Sequence, residues 1–246
     1  MIPDWLHILS IASLLVAMLA AVAIALDVRR DPQPMWIMNL VWPLTALFAG
    51  PLALAFYFTA GKGGTMSAHH RGGHAHSGSG TDEGGETPFP TAVAKGTLHC
   101  GSGCTLGDII AEWLAFFVPA VAVWFGWQWL FADKIFAVWV LDFVLAFLFG
   151  VAFQYFSIKP MRDLTPRAAL VAAVKADALS LTAWQVGMYG AMALAHFVLF
   201  QRVLGASLEV PSVEFWFVMQ LAMLCGFVTA YPVNWWLVRR GIKERM

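Results

Sequence analysis

Charged residues are scarce in this chain of 246 residues. Only 12% are Asp, Glu, Lys or Arg, whereas roughly 25% is usual in a soluble domain. The 15 basic and 15 acidic residues cancel to a formal net charge of zero, so the sequence lacks the positive surface that a nucleic-acid partner needs. It also lacks a phosphate-binding glycine loop, a nucleophile elbow and a zinc-protease motif. These absences favour a transport or metal-handling role over catalysis.

Apolar residues take the place of the missing charges. They make up 60% of the chain, and the mean hydropathy is +0.70. A helix that spans a bilayer needs about 20 mainly apolar residues. Six segments qualify, near residues 5–26, 35–59, 109–131, 135–157, 179–200 and 215–238. We therefore predict an all-α, polytopic membrane helical bundle with about six transmembrane helices, and matching Trp positions suggest three related hairpins.

The composition divides the chain into three regions. Residues 1–60 form a first transmembrane hairpin, and residues 61–104 form a His- and Gly-rich loop that ends in a cysteine motif. Residues 105–246 form a four-helix region with an amphipathic cytoplasmic helix near 165–178, capped by Thr165. Prolines inside the predicted spans should kink or break them; these are Pro43, Pro51, Pro119 and Pro232.

The distribution of Lys and Arg predicts the orientation. If the N-terminus is cytoplasmic, eleven of these residues lie inside and four lie outside, namely Arg29, Arg30, Lys134 and Arg202. Cytoplasmic loops carry the excess of positive charge. We therefore predict an inner-membrane protein of a bacterium with both termini in the cytoplasm.

The cysteine motif runs from His99 to Asp108. If residues 100–112 form one helix, Cys100, Cys104, Asp108 and Glu112 share a face. Glycines in this run each cost about 1 kcal/mol in a helix, so the sequence favours a glycine turn followed by a helix that begins near Thr105. In either geometry, these residues and His99 are candidate metal ligands.

A second set of candidates lies deeper in the predicted spans. Asp142 and His196 form an outer polar station, and a path of soft ligands connects it with the cysteines: Met188, Met192, Met219, Met223 and Cys225. Thioether and thiolate suit copper, while imidazole and carboxylate also suit zinc or iron. Packing and interhelical hydrogen bonds are the alternative roles. The loop residues His69, His70, His74 and His76 form an auxiliary metal-binding tract or an incidental part of a linker.

Several motifs together resemble a known family. They begin at Met35 (MWIMN), Trp42 (WPLTA), His99 (HCGSGCTLGD), Lys175 (KADALSLTAWQ) and Tyr231 (YPVNWW). In these motifs the chain resembles a bacterial and archaeal family of multi-pass membrane proteins catalogued as a domain of unknown function. The resemblance implies a membrane protein without an established reaction, sometimes linked to copper handling.

The sequence therefore predicts a membrane protein that binds a transition metal, with copper preferred over zinc or iron, and moves or delivers it. Its expected partners are the bilayer, the metal ion and a further copy of itself in a homo-oligomer. A thiol-disulfide or haem redox protein is the alternative from the enzyme class, and a non-catalytic assembly or scaffold protein is the third.

Overall fold

The computed structural model describes residues 2–62, 87–161 and 164–245, and this part of the chain is helical without a strand. The helices are α1 (Asp4–Arg30), α2 (Met38–Ala49), α3 (Pro51–Phe56, extended by a π-helix Tyr57–Gly61), α4 (Phe89–Phe117), α5 (Pro119–Trp124), α6 (Lys134–Met161), α7 (Pro166–Ala193, extended by a π-helix Leu194–Leu204) and α8 (Val213–Arg239). The predicted all-α class is confirmed. The four His residues predicted as an auxiliary metal tract lie outside the described residues.

Five segments are long and apolar enough to cross a membrane: α1, Met38–Gly61, Lys134–Lys159 of α6, Pro166–Leu204 and α8. Large apolar side chains such as Leu19, Leu148 and Val228 are exposed on the outside of the bundle. Polar side chains such as Asp108 and Asp142 are buried inside it. This inside-out distribution suits a lipid solvent, and the protein is a multi-pass membrane protein.

Helices α1 and α8 begin at the same end of the bundle. His7 Nδ1 lies 2.6 Å from Glu214 Oε1, and Ser13 donates a hydrogen bond of 2.7 Å to Gln220 one to two turns further along. We name this the amino end, and the opposite end, to which both helices run, the carboxyl end. Residues 240–245 follow α8, so the first and last described residues lie at opposite ends of the bundle. The cytoplasmic placement of both termini stays a prediction, which this arrangement disfavours.

The other long helices alternate in direction. Phe89 at the start of α4 contacts Trp235 near the end of α8, so α4 begins at the carboxyl end. Lys134 at the start of α6 donates to the carbonyl of Ala115 near the end of α4, so α6 begins at the amino end. Asp177 in the first half of α7 contacts Lys243 after α8, and Tyr189 further along α7 donates to the Trp139 carbonyl near the start of α6, so α7 begins at the carboxyl end.

The segment Met38–Gly61 is a hairpin rather than a single span. A straight helix would place Trp42 and Gly61 about 28 Å apart at 1.5 Å per residue. A Cβ added at Gly61 would instead lie 2.8 Å from the Trp42 ring, and Trp42 also contacts Tyr57. The chain reverses at Gly50, whose φ of +52° favours glycine. The second predicted span and the three related hairpins are therefore wrong, because α2 enters from the carboxyl end and α3 returns to it.

The third predicted span, near 109–131, is also wrong in its bounds. The helix begins at Phe89 and ends at Phe117, where Val118 leaves helical geometry and Pro119 starts the short α5. At 29 residues α4 is as long as its neighbours, and it runs beside α6 from Ser157 to Lys134. Its more polar composition is tolerated because the surrounding helices cover it.

The predicted amphipathic helix near 165–178 is the first part of α7. Thr165 caps it as predicted, accepting a hydrogen bond from the Ala168 amide at 3.4 Å. The helix then continues without a break into the predicted fifth span. A separate surface helix is therefore not formed.

Candidate functional site

The cysteine motif lies in the middle of α4. Cys100, Cys104, Asp108 and Glu112 recur every four residues on one buried face, each at most 4% exposed. The predicted glycine turn is wrong, and so is the predicted loop that ends at Cys104. Thr105 is a mid-helix residue that donates to the Gly101 carbonyl at 2.8 Å, rather than the predicted start of the helix.

The glycines of the motif allow neighbouring helices to approach α4 closely. A Cβ added at Gly103 would lie 2.8 Å from the backbone of Gly150, and one added at Gly107 would lie 2.5 Å from the backbone of Ala146. Both neighbours belong to α6. Small residues at such contacts let two helix backbones pack together in a membrane. This packing offsets the intrinsic cost of glycine in a helix.

At the carboxyl end, the Cys100 thiol is the centre of a buried group that we name the thiol cluster. The thiol donates to Asp177 Oδ1 at 2.9 Å and accepts from Lys243 Nζ at 2.7 Å and from Ser180 Oγ at 3.3 Å. Asn234 donates in turn to Ser180 at 2.6 Å. These five side chains come from α4, α7, α8 and the segment that follows α8.

Lys243 and Asp177 balance the charge of the thiol cluster. Their side chains are completely buried, and Nζ lies 2.8 Å from Asp177 Oδ1. Burial alone would lower the pKa of Lys243, but the nearby Asp177 carboxylate and the Cys100 sulfur outweigh it and raise the pKa. Lys243 therefore carries its positive charge throughout the neutral pH range.

His99 lies on another face of α4. Its Nε2 is 2.8 Å from Ser157 Oγ, and its ring meets Phe153 edge to face. Its Nδ1 is buried without a hydrogen-bond partner among the described residues. The structure thus directs His99 towards α6, whereas Cys100 faces α7 and Lys243.

Beyond Cys104, towards the amino end, lies a group that we name the carboxyl column. It consists of Asp108 and Glu112, which lie one turn apart on the same buried face of α4, and the buried Asp142 of the neighbouring helix α6. Both oxygens of Asp108 and both of Asp142 are buried and make no hydrogen bond of normal geometry in the described chain. The same holds for the buried amides of Gln154 and Gln185, although the Gln185 side chain lies close to Asp108.

The carboxyl column reaches a cavity at the amino end. This cavity has a volume of about 360 Å³, and Glu112 belongs both to its lining and to the column. Its other ionisable lining residues are Asp133, Lys134, His196 and Glu209. The structure therefore places His196 at the cavity, at the same end of the bundle as Glu112 and apart from the thiol cluster.

The predicted soft ligands are dispersed. Met219 and Met223 line a lateral cavity of about 310 Å³ together with Asp108, but the Met223 sulfur already accepts a hydrogen bond from Trp184 Nε1 at 3.3 Å. Met188 and Met192 belong to the buried core, and Cys225 is exposed on the outside of the bundle. Within residues 2–62, 87–161 and 164–245, no three His, Cys, Asp or Glu side chains are arranged to hold a metal ion.

Sequence reasoning missed four members of the thiol cluster, namely Asp177, Ser180, Asn234 and Lys243. Asp177 and Ser180 stand in the motif that begins at Lys175, where their spacing of three residues on a helix could have shown a shared face. Lys243 gave no comparable signal, because it stands among surface-type charges near the end of the chain. Only the folded arrangement brings it to Cys100.

The comparisons with known proteins identify the family of this chain but no activity. A family described as a domain of unknown function, DUF4396, matches residues 91–243, which is well over half of the chain, and the protein belongs to this family. The match contains the thiol cluster and the carboxyl column, whereas α1 and the α2–α3 hairpin lie outside it. No curated protein and no protein of solved structure matches the chain.

Proposed function

We propose that this membrane protein moves protons across the bilayer along the carboxyl column. The observation that carries the proposal is the complete burial of Asp108 and Asp142, whose four carboxyl oxygens make no hydrogen bond of normal geometry with the described residues, although the Gln185 side chain lies close to Asp108. An ionisable group near the centre of a membrane costs about 2.5 to 3.5 kcal/mol on insertion scales. Groups retained at that cost typically belong to ion pathways and proton relays.

The position of these groups supports a path rather than an isolated site. From Cys100 to Glu112 the buried face of α4 rises twelve residues, or about 18 Å, in a hydrocarbon layer of about 30 Å. The thiol cluster extends this face to the carboxyl end, and the cavity beside Glu112 extends it to the amino end. Polar groups therefore follow one another through most of the membrane.

The chemistry of the column suits a proton. A carboxyl group can accept a proton on one oxygen and release one from the other, and neighbouring carboxyl groups favour sharing a proton over ionising together. Glu112 would exchange protons with the cavity at the amino end. Asp142 and Asp108 would pass them towards Cys104 and the thiol cluster.

Copper transport, with the metal as cargo, is the second candidate. It is supported by the two thiols of Cys100 and Cys104, which lie one turn apart on the same buried face. The Lys243 ammonium beside Cys100 opposes it, because a positive charge at 2.7 Å disfavours a bound cation. A disulfide between cysteines one helical turn apart would require distortion, which weighs against a thiol-disulfide enzyme.

Reconstitution in liposomes tests the proposal. A potassium gradient with valinomycin sets an inside-negative potential, and a trapped dye reports internal pH. Wild-type protein should acidify the lumen faster than empty vesicles do, and Asp108→Asn and Asp142→Asn should each abolish most of that flux. Asp4→Asn, which changes an exposed carboxylate at the start of α1, should behave as wild type.

Two outcomes would overturn the proposal. One is wild-type vesicles that acidify no faster than empty ones. The other is a wild-type proton flux in both Asp108→Asn and Asp142→Asn. In parallel vesicles, uptake of Cu(I) that is lost in the Cys100→Ser, Cys104→Ser double variant, without any proton flux, would replace the proton with copper.

A further inference from the structure

The segment after α8 folds back into the bundle. Gly241 has a φ of +67°, its amide bonds to the Val238 carbonyl, and the Ile242 amide bonds to the Leu237 carbonyl. These two hydrogen bonds form the turn in which a left-handed glycine ends a helix. The turn reverses the chain and directs Lys243 towards α4.

The Lys243 ammonium lies in a buried pocket whose lining groups stabilise a positive charge. Its Nζ lies 2.8 Å from Asp177 Oδ1, 2.7 Å from Cys100 Sγ and 3.4 Å from the Gly96 carbonyl oxygen. The side chain is fully buried. A carboxylate, a sulfur and a carbonyl from α4 and α7 thus replace the water that would surround a free ammonium group.

We infer that Lys243 is a gate that closes the carboxyl end of the proton path. While its ammonium is bound, Asp177 and Cys100 are sealed from the aqueous phase. When the segment after α8 moves away, Asp177 becomes the proton acceptor at that end, exchanging protons with water on one side and with the Cys100 thiol on the other. The role in proton flow rests on the proposed function, whereas the sealing of Cys100 by Lys243 does not.

Three features support a gate over a permanent structural contact. The seal is formed by the Lys243 side chain beyond the last turn of α8, in a segment that Arg245 also holds by packing over the Phe89 ring, so Lys243 can leave the pocket without unfolding a helix. The turn that directs it depends on Gly241, around which no atom lies within 4 Å of an added Cβ. The rest of the cluster keeps a hydrogen-bonded chain from Asn234 through Ser180 to Cys100 without Lys243.

Labelling of the Cys100 thiol, as a mixed disulfide with release of methanesulfinate, measures the seal independently of proton flux. In a Cys104→Ser, Cys225→Ser background, a small water-soluble methanethiosulfonate is added to proteoliposomes, and labelling is followed by intact mass. Lys243→Met should raise the labelling rate of Cys100 roughly tenfold or more, which corresponds to about 1.4 kcal/mol of lost closure. Lys62→Met, which removes another Lys–Asp pair at the same end, should leave the rate unchanged.

Two further variants keep the test decisive. Gly241→Val strains the turn while retaining every group of the pocket, and it should raise labelling less than Lys243→Met does. When Lys243→Met or Gly241→Val is combined with Cys100→Ser and Cys225→Ser, the cysteine that remains is Cys104, which lies one turn deeper. Cys104 should stay unlabelled in these variants, which shows that the fold persists. An unchanged Cys100 rate in both Lys243→Met and Gly241→Val would overturn the gate, as would equal labelling of Cys104.

The proton assay separates the gate from the proposed function. If both hold, Lys243→Met increases the proton flux over wild type and Asp108→Asn added to it removes the flux. If Cys100 is labelled faster in Lys243→Met but neither wild type nor the variant shows a proton flux, the sealing role of Lys243 is supported and proton movement is refuted. A lower flux in Lys243→Met with faster labelling refutes the gate.

Discussion

Trp184 illustrates how single residues set the spacing of this bundle. Its indole is fully buried between two glycines, because an added Cβ at Gly226 would lie 2.8 Å from its Nε1 and one at Gly101 would overlap its ring. The indole also meets Phe48 of the hairpin edge to face. The large Trp184 side chain thus packs against two glycines, which have no side chain, and holds α4, α7 and α8 close together near the thiol cluster.

Gly107 permits the closest contact between α4 and α6. An alanine Cβ there would lie 2.5 Å from the Ala146 nitrogen, and a backbone atom cannot move aside as a side chain can. Gly107→Ala should therefore lower the free energy of unfolding by about 1 to 3 kcal/mol, the usual cost of overpacking. Thermal unfolding in detergent measures the change.

Gly190→Ala is the matched control for that substitution. Gly190 also lies inside a helix, but an added Cβ meets nothing within 4 Å, and alanine is the better helix former by about 1 kcal/mol. Its unfolding temperature should equal or exceed that of wild type. A Gly107→Ala protein as stable as Gly190→Ala would contradict the close packing of α4 on α6.

Among the elements, the α2–α3 hairpin shows where sequence reasoning stopped. A window of 24 apolar residues is the length of one span, so hydropathy alone does not separate a span from two half-length helices. Pro51 indicated a break in the helix, but a break alone does not show in which direction the chain continues. The direction follows from contacts across the hairpin, such as Trp42 with Tyr57, and from Tyr57 donating to Asp27 of α1 at 2.6 Å.

Cysteine accessibility tests the hairpin. In a protein with its own cysteines replaced by serine, Pro34→Cys and Lys62→Cys should be labelled by a membrane-impermeant maleimide from the same side, because α2 begins and the α3 segment ends at the carboxyl end. Leu52→Cys, near the tip and exposed towards lipid, should be labelled from neither side. Labelling of positions 34 and 62 from opposite sides would establish a complete span instead.

Helix α4 shows which part of the site was open to prediction. The four-residue recurrence from Cys100 to Glu112 indicates a single helical face, and the structure has that face. Asp142 could be predicted from its position alone, because a carboxyl group inside a membrane span is energetically costly and typically has a function. Lys243 could not be found in this way, since its role depends on a turn at Gly241 and on Asp177, 66 residues earlier.

At the scale of the whole molecule, the hairpin changes the charge balance between the two sides. With α2–α3 returning to its own end, only Lys134 and Arg202 lie at the amino end among the described basic residues. Eleven lie at the carboxyl end: Arg29, Arg30, Lys62, Lys95, Lys159, Arg167, Lys175, Arg239, Arg240, Lys243 and Arg245. Arg29 and Arg30, which opposed the orientation predicted from the sequence, now agree with the others.

This asymmetry predicts that the carboxyl end faces the cytoplasm and the N-terminus lies outside. In a bacterial inner membrane, a green fluorescent protein fused after Met246 should fluoresce, and alkaline phosphatase at the same position should be inactive. In a background without native cysteines, Asp4→Cys should be labelled by an impermeant maleimide added to intact spheroplasts. Arg245→Cys should be labelled only after permeabilisation. Helix α8 runs from the amino end, where Glu214 contacts His7, to the carboxyl end, where Lys243 contacts Cys100. Labelling of both positions without permeabilisation, or of both only after it, would therefore contradict the opposite placement of the two ends.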